Sequence, residues 1–166
     1  EDLQNENLKN INKFIALNRW QQFSDNNGGV KGIYLSGYHF LIEEKIIPIK
    51  EIISNTVVNT LVLDVKTDNG HILYDSQIKE VDQLNNERIK YDKKTLKAFK
   101  EEFDIYLIGR IVAFQDPLFS RKYPESAIID VATNNPYFQN GQYFLDPSDN
   151  KSREYILNIA VEACLL

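Results

Sequence analysis

The chain has 166 residues, of which 43% are hydrophobic, and it carries a formal net charge of −5. This composition is sufficient for one folded domain and excludes a disordered chain, while the negative charge argues against a general nucleic-acid binder. No apolar run reaches the roughly 18 residues of a membrane span. The single cysteine, Cys164, excludes an internal disulfide and a cysteine-cluster metal site.

The two ends of the sequence indicate a piece of a longer protein. The chain contains no methionine, so it is not expected to begin at a start codon. Residues 161–166 form an apolar helical pattern, although a helix normally ends with glycine or asparagine and often has a basic residue in its last turn. We therefore expect natural sequence beyond Leu166.

Two regions of different composition divide the chain. Residues 1–29 are a polar lead-in, in which four apolar residues between Leu8 and Ile15 have the spacing of a short amphipathic helix. Residues 30–166 contain the strand and helix patterns of the domain itself. The boundary of the folded domain is therefore predicted near residue 30.

The domain alternates between strands and helices. Strands are predicted over residues 30–36, 60–66 and 105–114, and helices over residues 43–54, 93–103 and 151–165. Loops or irregular segments are predicted over residues 37–40, 76–91 and 115–150, and the longest of them is a candidate lid. Pro48 is best accommodated in the first turn of its helix, which would then begin near residue 47.

This order of elements predicts an α/β fold. Three strands joined through helices form three βα units, with parallel strands and right-handed crossovers. An open doubly wound sheet and a (β/α)₈ barrel both begin in this way. A barrel needs about 250 residues, so three units are less than half of one.

The strand at residues 60–66 has charged residues near its end. Asp64 and Lys66 fall on one face, while the other face, which includes Leu61 and Val65, is apolar. A strand buried in a parallel sheet is normally apolar on both faces, and the carboxyl ends of such strands face ligands in α/β proteins. Asp64 and Lys66 therefore indicate a site, and the alternative is an internal ion pair that only fills the core.

Arg110 lies in the otherwise apolar strand at residues 105–114. A buried arginine is costly unless a carboxylate pairs with it, and Asp64 on the neighbouring strand is the natural partner. A carboxylate beside an arginine stays ionised, so it is a poor general acid but a suitable base, nucleophile or sugar ligand. Ion pairing is the simpler role for Asp64.

Four segments in the same order resemble a bacterial family of glycoside-hydrolase-like domains, long catalogued as a domain of unknown function. They are Val-Lys-Gly-Ile-Tyr-Leu-Ser-Gly at 30–37, Leu-Asp-Val-Lys-Thr-Asp-Asn-Gly at 63–70, Gly-Arg-Ile-Val-Ala-Phe-Gln-Asp-Pro-Leu at 109–118 and Phe-Leu-Asp-Pro at 144–147. The resemblance covers about residues 30–166 and implies the N-terminal portion, about three βα units, of a (β/α)₈ TIM-like barrel. In this family a carboxylate-rich fourth strand follows, which implies that the main catalytic acid lies beyond Leu166.

The resemblance also implies an activity and a set of site residues. The expected function is hydrolysis of a polysaccharide or glycoconjugate through paired carboxylates at the carboxyl ends of the strands. Asp64 and Arg110 would form the floor of the catalytic site. The candidate substrate-binding residues are Tyr38, Lys66, Asp68, Phe114, Asp116 and Asp146.

Each of these residues also has a plainer role. Lys66 is equally a solvated lysine at a strand end, and Asp68 equally part of a turn. Asp116 and Asp146, each followed by proline, are typical of loop starts and helix caps. Aromatic residues in and beside the rim loops suit stacking on sugar rings and also suit loop packing: Tyr38, Phe40, Phe114, Tyr137, Phe138, Tyr143 and Phe144.

The remaining expectations concern partners and alternatives. The two histidines have no metal-ligand spacing, and no phosphate-binding or dinucleotide motif is present, so neither a metal nor a cofactor is predicted. A partial barrel is expected to expose strand edges and to self-associate. The alternatives are a non-catalytic carbohydrate-binding or envelope interaction protein with a degenerate barrel, and a complete open α/β domain. An envelope or exported location is favoured over a cytoplasmic one.

Overall fold

The computed structural model describes residues 19–84 and 90–166. The helix predicted between Leu8 and Ile15 therefore lies outside the described residues. Residues 19–26 are helical and are called α1. Phe23 of this helix packs against Tyr106, with ring centroids 5.0 Å apart. None of the helices in the described ranges is long and apolar enough to cross a membrane.

Three parallel strands form the central sheet, in the order β1-β2-β3. They are β1 (Gly32–Leu35), β2 (Thr60–Lys66) and β3 (Tyr106–Ile111). The predicted parallel α/β arrangement is thus confirmed, and closure into a barrel stays a prediction. The third strand is shorter than predicted, since it ends at Ile111 after the register irregularity beside Lys66, and the Val112 N–H makes a last hydrogen bond to the Lys66 carbonyl at 3.1 Å.

Residues 19–84 and 90–166 contain six further α-helices beside this sheet. They are α2 (Gly37–Phe40), α3 (Glu43–Asn55), α4 (Lys79–Asp82), α5 (Lys93–Phe103), α6 (Pro117–Lys122) and α7 (Asn150–Ala163). The three helices predicted from the sequence correspond to α3, α5 and α7. The prediction that Pro48 marks a helix start near residue 47 is wrong, since Pro48 lies inside α3. Ile46, two residues before the proline, is buried, and its packing holds the first turn in the helix.

The segments predicted to be irregular contain short elements. Residues 37–40 form the helical turn α2 instead of a loop, and residues 79–82 form α4. In the long connection, β4 (Ile129–Asp130) pairs with β5 (Asn135–Pro136), and β6 (Phe138–Gln139) pairs with β7 (Gln142–Tyr143), both antiparallel. The β6–β7 turn is Asn140-Gly141, with positive φ at both residues, and this dipeptide is the strongest short hairpin signal.

The two faces of the sheet have different surroundings. On one face Leu61, Leu63 and Val65 of β2 are buried in the core with residues of α2 and α5, including Phe40 and Phe99, whose rings contact edge to face at 5.3 Å. The opposite face includes Tyr34, Asp64 and Arg110 and is called the open face. Tyr34 is 53% exposed there. The open face is therefore where side chains of the sheet meet solvent.

Candidate functional site

Asp64 and Arg110 lie opposite each other near the carboxyl ends of β2 and β3. The parallel register aligns their Cα atoms, and a register irregularity follows directly between Asp64 and Lys66. Arg110 Nε donates to Asp64 Oδ1 at 2.5 Å. The ion pair predicted from the two strand patterns is confirmed, while a catalytic role for the pair stays a prediction.

Tyr34 of β1 completes the arrangement. Its hydroxyl donates to Asp64 Oδ2 at 2.7 Å, so both carboxylate oxygens of Asp64 accept hydrogen bonds. The guanidinium carbon of Arg110 also lies 5.1 Å from the centre of the Tyr34 ring, within cation–π range. One carboxylate thus links three adjacent strands, and the sequence analysis missed Tyr34. Strand alternation could have found it. Tyr34 aligns with Val62 of β2, and Val62 and Asp64 lie on the same face of that strand.

Charge and hydrogen bonding act on both donors. The hydrogen bond from Arg110 to Asp64 raises the pKa of the guanidinium, which therefore stays protonated. Burial and the hydrogen bond to Asp64 raise the pKa of the Tyr34 hydroxyl. Both donors consequently keep their protons at neutral pH and remain available for the hydrogen bonds to Asp64.

The backbone at Asp64 is held from the core side as well. The buried Tyr91 donates its hydroxyl hydrogen bond to the Asp64 carbonyl at 3.0 Å. Gly37 packs so closely that a Cβ there would lie 2.9 Å from the same carbonyl and 2.2 Å from Leu73 Cδ1. A larger residue at position 37 would displace the strand end, so glycine is required for this close approach.

Arg110 is less buried than the sequence predicted. Its side chain is 46% exposed, whereas that of Asp64 is 4% exposed. The prediction of a buried arginine is wrong because β3 pairs only with β2 in the described sheet, which leaves its other edge open. The terminal Nη atoms have no hydrogen-bond partner among the described residues, so the outer part of the guanidinium is accessible from the open face.

Lys66 and Asp116 form a second ion pair, and both side chains are completely buried. Lys66 Nζ lies 3.1 Å from Asp116 Oδ2 and donates to the carbonyls of Val112 at 2.6 Å and Gln115 at 3.3 Å. Burial lowers the pKa of the Lys66 ammonium, and Asp116 partly offsets this effect. The buried ammonium of Lys66 does not match a solvated lysine or one that faces substrate. The pair instead connects the end of β2 with the segment that follows β3.

Asp116 also begins α6. Its Oδ1 accepts a hydrogen bond from the Phe119 N–H at 2.8 Å, which confirms the helix-cap interpretation. Gly70, at φ +81°, packs against the same oxygen, and a Cβ at this position would lie 2.2 Å from it. The Thr67–Gly70 turn and the start of α6 are thus in direct contact through Asp116.

The other predicted substrate-binding residues lie in different surroundings. Asp68 is exposed, and its charge acts on both Tyr34 and Arg110. Tyr38 and Phe114 are half-buried and pack against the core. Asp146 accepts hydrogen bonds from the N–H and hydroxyl of Ser148, both at 2.7 Å, as expected for a loop start. Asp68 is therefore the member of this set that shares an accessible surface with the Asp64 pair.

The described residues contain no cluster of three or more histidine, cysteine, aspartate or glutamate side chains that could hold a metal ion. The polar groups at the strand ends are instead paired with one another: Asp64 with Arg110 and Tyr34, and Asp116 with Lys66. This edge therefore presents a carboxyl group held by two hydrogen bonds beside an accessible guanidinium.

A parallel sheet with paired charges at the carboxyl ends of its strands defines an α/β domain with its candidate site at that edge. The sequence profile of the family described as "Putative glycosyl hydrolase domain" matches residues 32–166. The chain belongs to this family. The family resemblance inferred from the sequence motifs is thus confirmed.

A solved structure has the same fold. It is described as the "Crystal structure of a hypothetical protein from Ruminiclostridium thermocellum ATCC 27405". It is 33% identical to this chain, with a TM-score of 0.73, and the match covers 80% of this chain and 70% of that chain. The comparison with curated proteins gave no match.

Proposed function

We propose that the protein acts on a polysaccharide or glycoconjugate at the carboxyl edge of its parallel sheet, as a glycoside hydrolase. The observation that carries this proposal is the Asp64 carboxylate, which Arg110 and Tyr34 hold in one orientation from the two neighbouring strands. Membership of the family described as "Putative glycosyl hydrolase domain" supports this class of reaction. The proposed roles rest on the geometry of these three residues.

Cleavage of a glycosidic bond requires two carboxyl groups, one on each side of the bond. We propose Asp64 as the base, the nucleophile or the ligand of a sugar hydroxyl, because Arg110 and Tyr34 both donate hydrogen bonds to its carboxylate. Asp68 is the exposed carboxylate whose charge reaches the same donors, and we propose that it contacts substrate. The main general acid is proposed to come from a further strand.

The proposal includes the (β/α)₈ barrel as the fold of the whole protein. Parallel strands alternating with helical crossovers are the repeating unit of that fold, and its sites lie at the carboxyl ends of the strands. The half-exposed open face around Tyr34 and Arg110 supports this proposal, because further strands would convert it into a barrel interior. In such a barrel Asp64, near the carboxyl end of β2, would lie where barrel enzymes carry catalytic groups.

A second candidate function is non-catalytic carbohydrate binding. It is favoured by the state of Asp64, whose carboxylate is only 4% exposed and already accepts two hydrogen bonds. A group in this state is better suited to shaping a site than to transferring a proton. In this case Arg110 and Asp68 would contact the sugar, and no bond would be broken.

The substitution Asp64→Asn separates these functions. The assays are release of reducing sugar from a panel of polysaccharides, binding to the same panel, and urea unfolding. If Asp64 takes part in the reaction, turnover is lost while binding and the fold persist. If it shapes a binding site, binding weakens and the wild type releases no sugar.

Asp75→Asn is the matched control, because the Asp75 side chain is 80% exposed and lies 3.9 Å from Lys90. It should leave all three measurements unchanged. Turnover that survives Asp64→Asn would contradict the catalytic role. A wild-type protein that neither binds nor cleaves any polysaccharide of the panel would contradict the proposed function as a whole.

A further inference from the structure

The β6–β7 hairpin carries an aromatic pair at the surface. Phe138 and Tyr143 lie opposite each other in its register, with ring centroids 4.8 Å apart and an interplanar angle of 43°. Phe138 is 55% exposed although it is apolar. Tyr143 is half-buried and also contacts Arg121, whose guanidinium carbon lies 5.5 Å from the ring centre. The ring of Phe138 is therefore supported by a neighbouring ring while part of its surface remains open.

This hairpin is anchored to the part of the fold that holds the candidate site. The Tyr143 carbonyl accepts a hydrogen bond from the Asp116 N–H at 3.1 Å, and Asp116 is the partner of Lys66 at the end of β2. On the other side, Gln142 Nε2 donates to Asn69 Oδ1 at 3.2 Å, in the turn that follows β2. The hairpin thus lies at the same edge of the sheet as Asp64.

The surroundings of Phe138 combine an aromatic surface with amide groups. Asn140 is exposed next to it in the hairpin turn, while Gln139 and Gln142 lie on the opposite side of the hairpin, where Gln142 contacts the exposed Asn69. The C–H groups of a pyranose ring pack on the electron-rich face of an aromatic ring, while its hydroxyl groups hydrogen-bond to amides. An exposed apolar ring bordered by polar groups is also the pattern expected of a binding surface.

We propose that Phe138, supported by Tyr143, is a stacking platform for one sugar ring of an extended glycan. The inference rests on the proposed function and refines it, because a platform separate from Asp64 selects long substrates over short ones. A glycan bound at Asp64 would pass the exposed Asp68 and reach Phe138 along one edge of the sheet. A disaccharide bound at Asp64 would leave Phe138 unoccupied.

The test compares Phe138→Ala with wild type in calorimetric titrations. The probes are soluble β-linked oligosaccharides of glucose, N-acetylglucosamine and xylose, from the disaccharide to the hexasaccharide. Loss of one stacked ring is expected to weaken hexasaccharide binding about tenfold and to leave disaccharide binding unchanged. Phe138→Trp should retain the preference for long chains, since it keeps an aromatic face.

Val131→Ala is the matched control, because Val131 is an apolar residue of the neighbouring hairpin and is 98% exposed. It should not change binding at any chain length. Equal affinity of wild type and Phe138→Ala for every oligosaccharide, while Asp64→Asn still abolishes sugar release, would overturn the platform and leave the proposed function standing. Weakening by Phe138→Ala, with both turnover and binding unchanged in Asp64→Asn, would support the platform and contradict the Asp64 site. A wild type that binds none of the oligosaccharides would overturn both.

Discussion

Asp64 and Arg110 occupy aligned positions of adjacent parallel strands, and the Arg110 Nε–H···Oδ1 hydrogen bond between them is 2.5 Å long. Their exposure differs, because the carboxylate is buried and the guanidinium is half-exposed. Tyr34 binds the second carboxylate oxygen from the third strand. Both carboxylate oxygens of Asp64 are therefore hydrogen-bonded to side chains of the sheet, and the orientation of the carboxylate depends on the register of all three strands.

Tyr34→Phe should lower both stability and sugar binding. The substitution keeps the ring under Arg110 and removes only the hydrogen bond to Asp64 Oδ2. Because Tyr34 is half-exposed, we expect a loss of about 0.5–1 kcal/mol in the free energy of unfolding. Urea denaturation measures the loss, and titration with the oligosaccharides measures binding.

Tyr106→Phe is the control for this change, since the Tyr106 hydroxyl makes no hydrogen bond among the described residues and its ring packs against Phe23. It should alter neither quantity. Equal effects of Tyr34→Phe and Tyr106→Phe would show that the hydroxyl of Tyr34 does not orient Asp64.

Lys66→Met should be strongly destabilising. It leaves the Asp116 carboxylate buried without its cation and removes the donors to the carbonyls of Val112 and Gln115. Breaking a buried pair from one side costs about 3–5 kcal/mol. The loss can be measured by urea unfolding of the variant and the wild type under the same conditions.

The double variant Lys66→Met with Asp116→Asn tests the cause. Asparagine removes the buried charge and retains an oxygen that can accept the Phe119 N–H bond of the α6 cap. We expect the double variant to be about 1–2 kcal/mol more stable than Lys66→Met alone. A double variant that is less stable than the single one would mean that the unpaired charge is not the source of the loss.

Gly70→Ala and Gly141→Ala form a matched pair. The two glycines have φ angles of +81° and +82°, so both substitutions incur the strain of a left-handed backbone, about 1–2 kcal/mol. At Gly70 the new Cβ would also lie 2.2 Å from Asp116 Oδ1, whereas at Gly141 no atom lies within 4 Å. We expect Gly70→Ala to cost about 1–3 kcal/mol more than Gly141→Ala in urea unfolding. Equal costs would indicate that the Asp116 side chain moves away from the new Cβ without a further loss of stability.

Glu162 makes stability depend on pH in the acidic range. Burial tends to raise the pKa of its carboxyl. Three hydrogen bonds act in the opposite direction: from the Ser76 hydroxyl at 2.6 Å, the Gln77 N–H at 2.7 Å and the Tyr74 hydroxyl at 2.8 Å. Their effect is larger, so the pKa of Glu162 is lowered from 4.5. A lowered folded-state pKa means that the unfolded chain binds the proton more tightly. The contribution is therefore complete above the unfolded pKa and is lost as the pH falls through the folded one.

The measurement is the free energy of unfolding from about pH 6 to about pH 3. Glu162→Gln should be less stable than wild type at the upper end, and its stability should fall less steeply toward the lower end. Glu101→Gln is the control, since Glu101 is exposed and its carboxylate lies 3.9 Å from Lys97. An identical pH slope in Glu162→Gln and wild type would contradict the assignment.

The arrangement of the sheet and its ion pair could be predicted from the sequence. The length and the alternation of residues 60–66 both indicated a strand, which is β2. The polar positions on β2 and β3 then predicted that Asp64 and Arg110 would lie together. The exposure of Arg110 could not be predicted, since it depends on which strand lies at the edge of the sheet. Tyr34 was missed because a tyrosine in a strand is more often packed than hydrogen-bonded.

The placement of Lys66 illustrates a different limit. Strand alternation predicted that the Lys66 side chain lies on the same face as Asp64. The register irregularity follows Asp64, and the Lys66 ammonium instead donates to the Val112 carbonyl. Its partner Asp116 was predicted to be a substrate-binding residue or a helix cap, and not the partner of Lys66. A buried pair between a strand end and a distant connection has no local signal, since each residue alone is typical of a polar strand end or a helix start.

The Lys66 contacts also have a consequence for how the protein folds. Lys66 and the Gln115 carbonyl that it binds are 49 positions apart, and α5 and β3 lie between them. Closing so long a segment is entropically costly, so these contacts are expected to form after β2 and β3 have paired. Lys66→Met should therefore accelerate unfolding while hardly slowing refolding, which makes this buried pair a determinant of the lifetime of the native state.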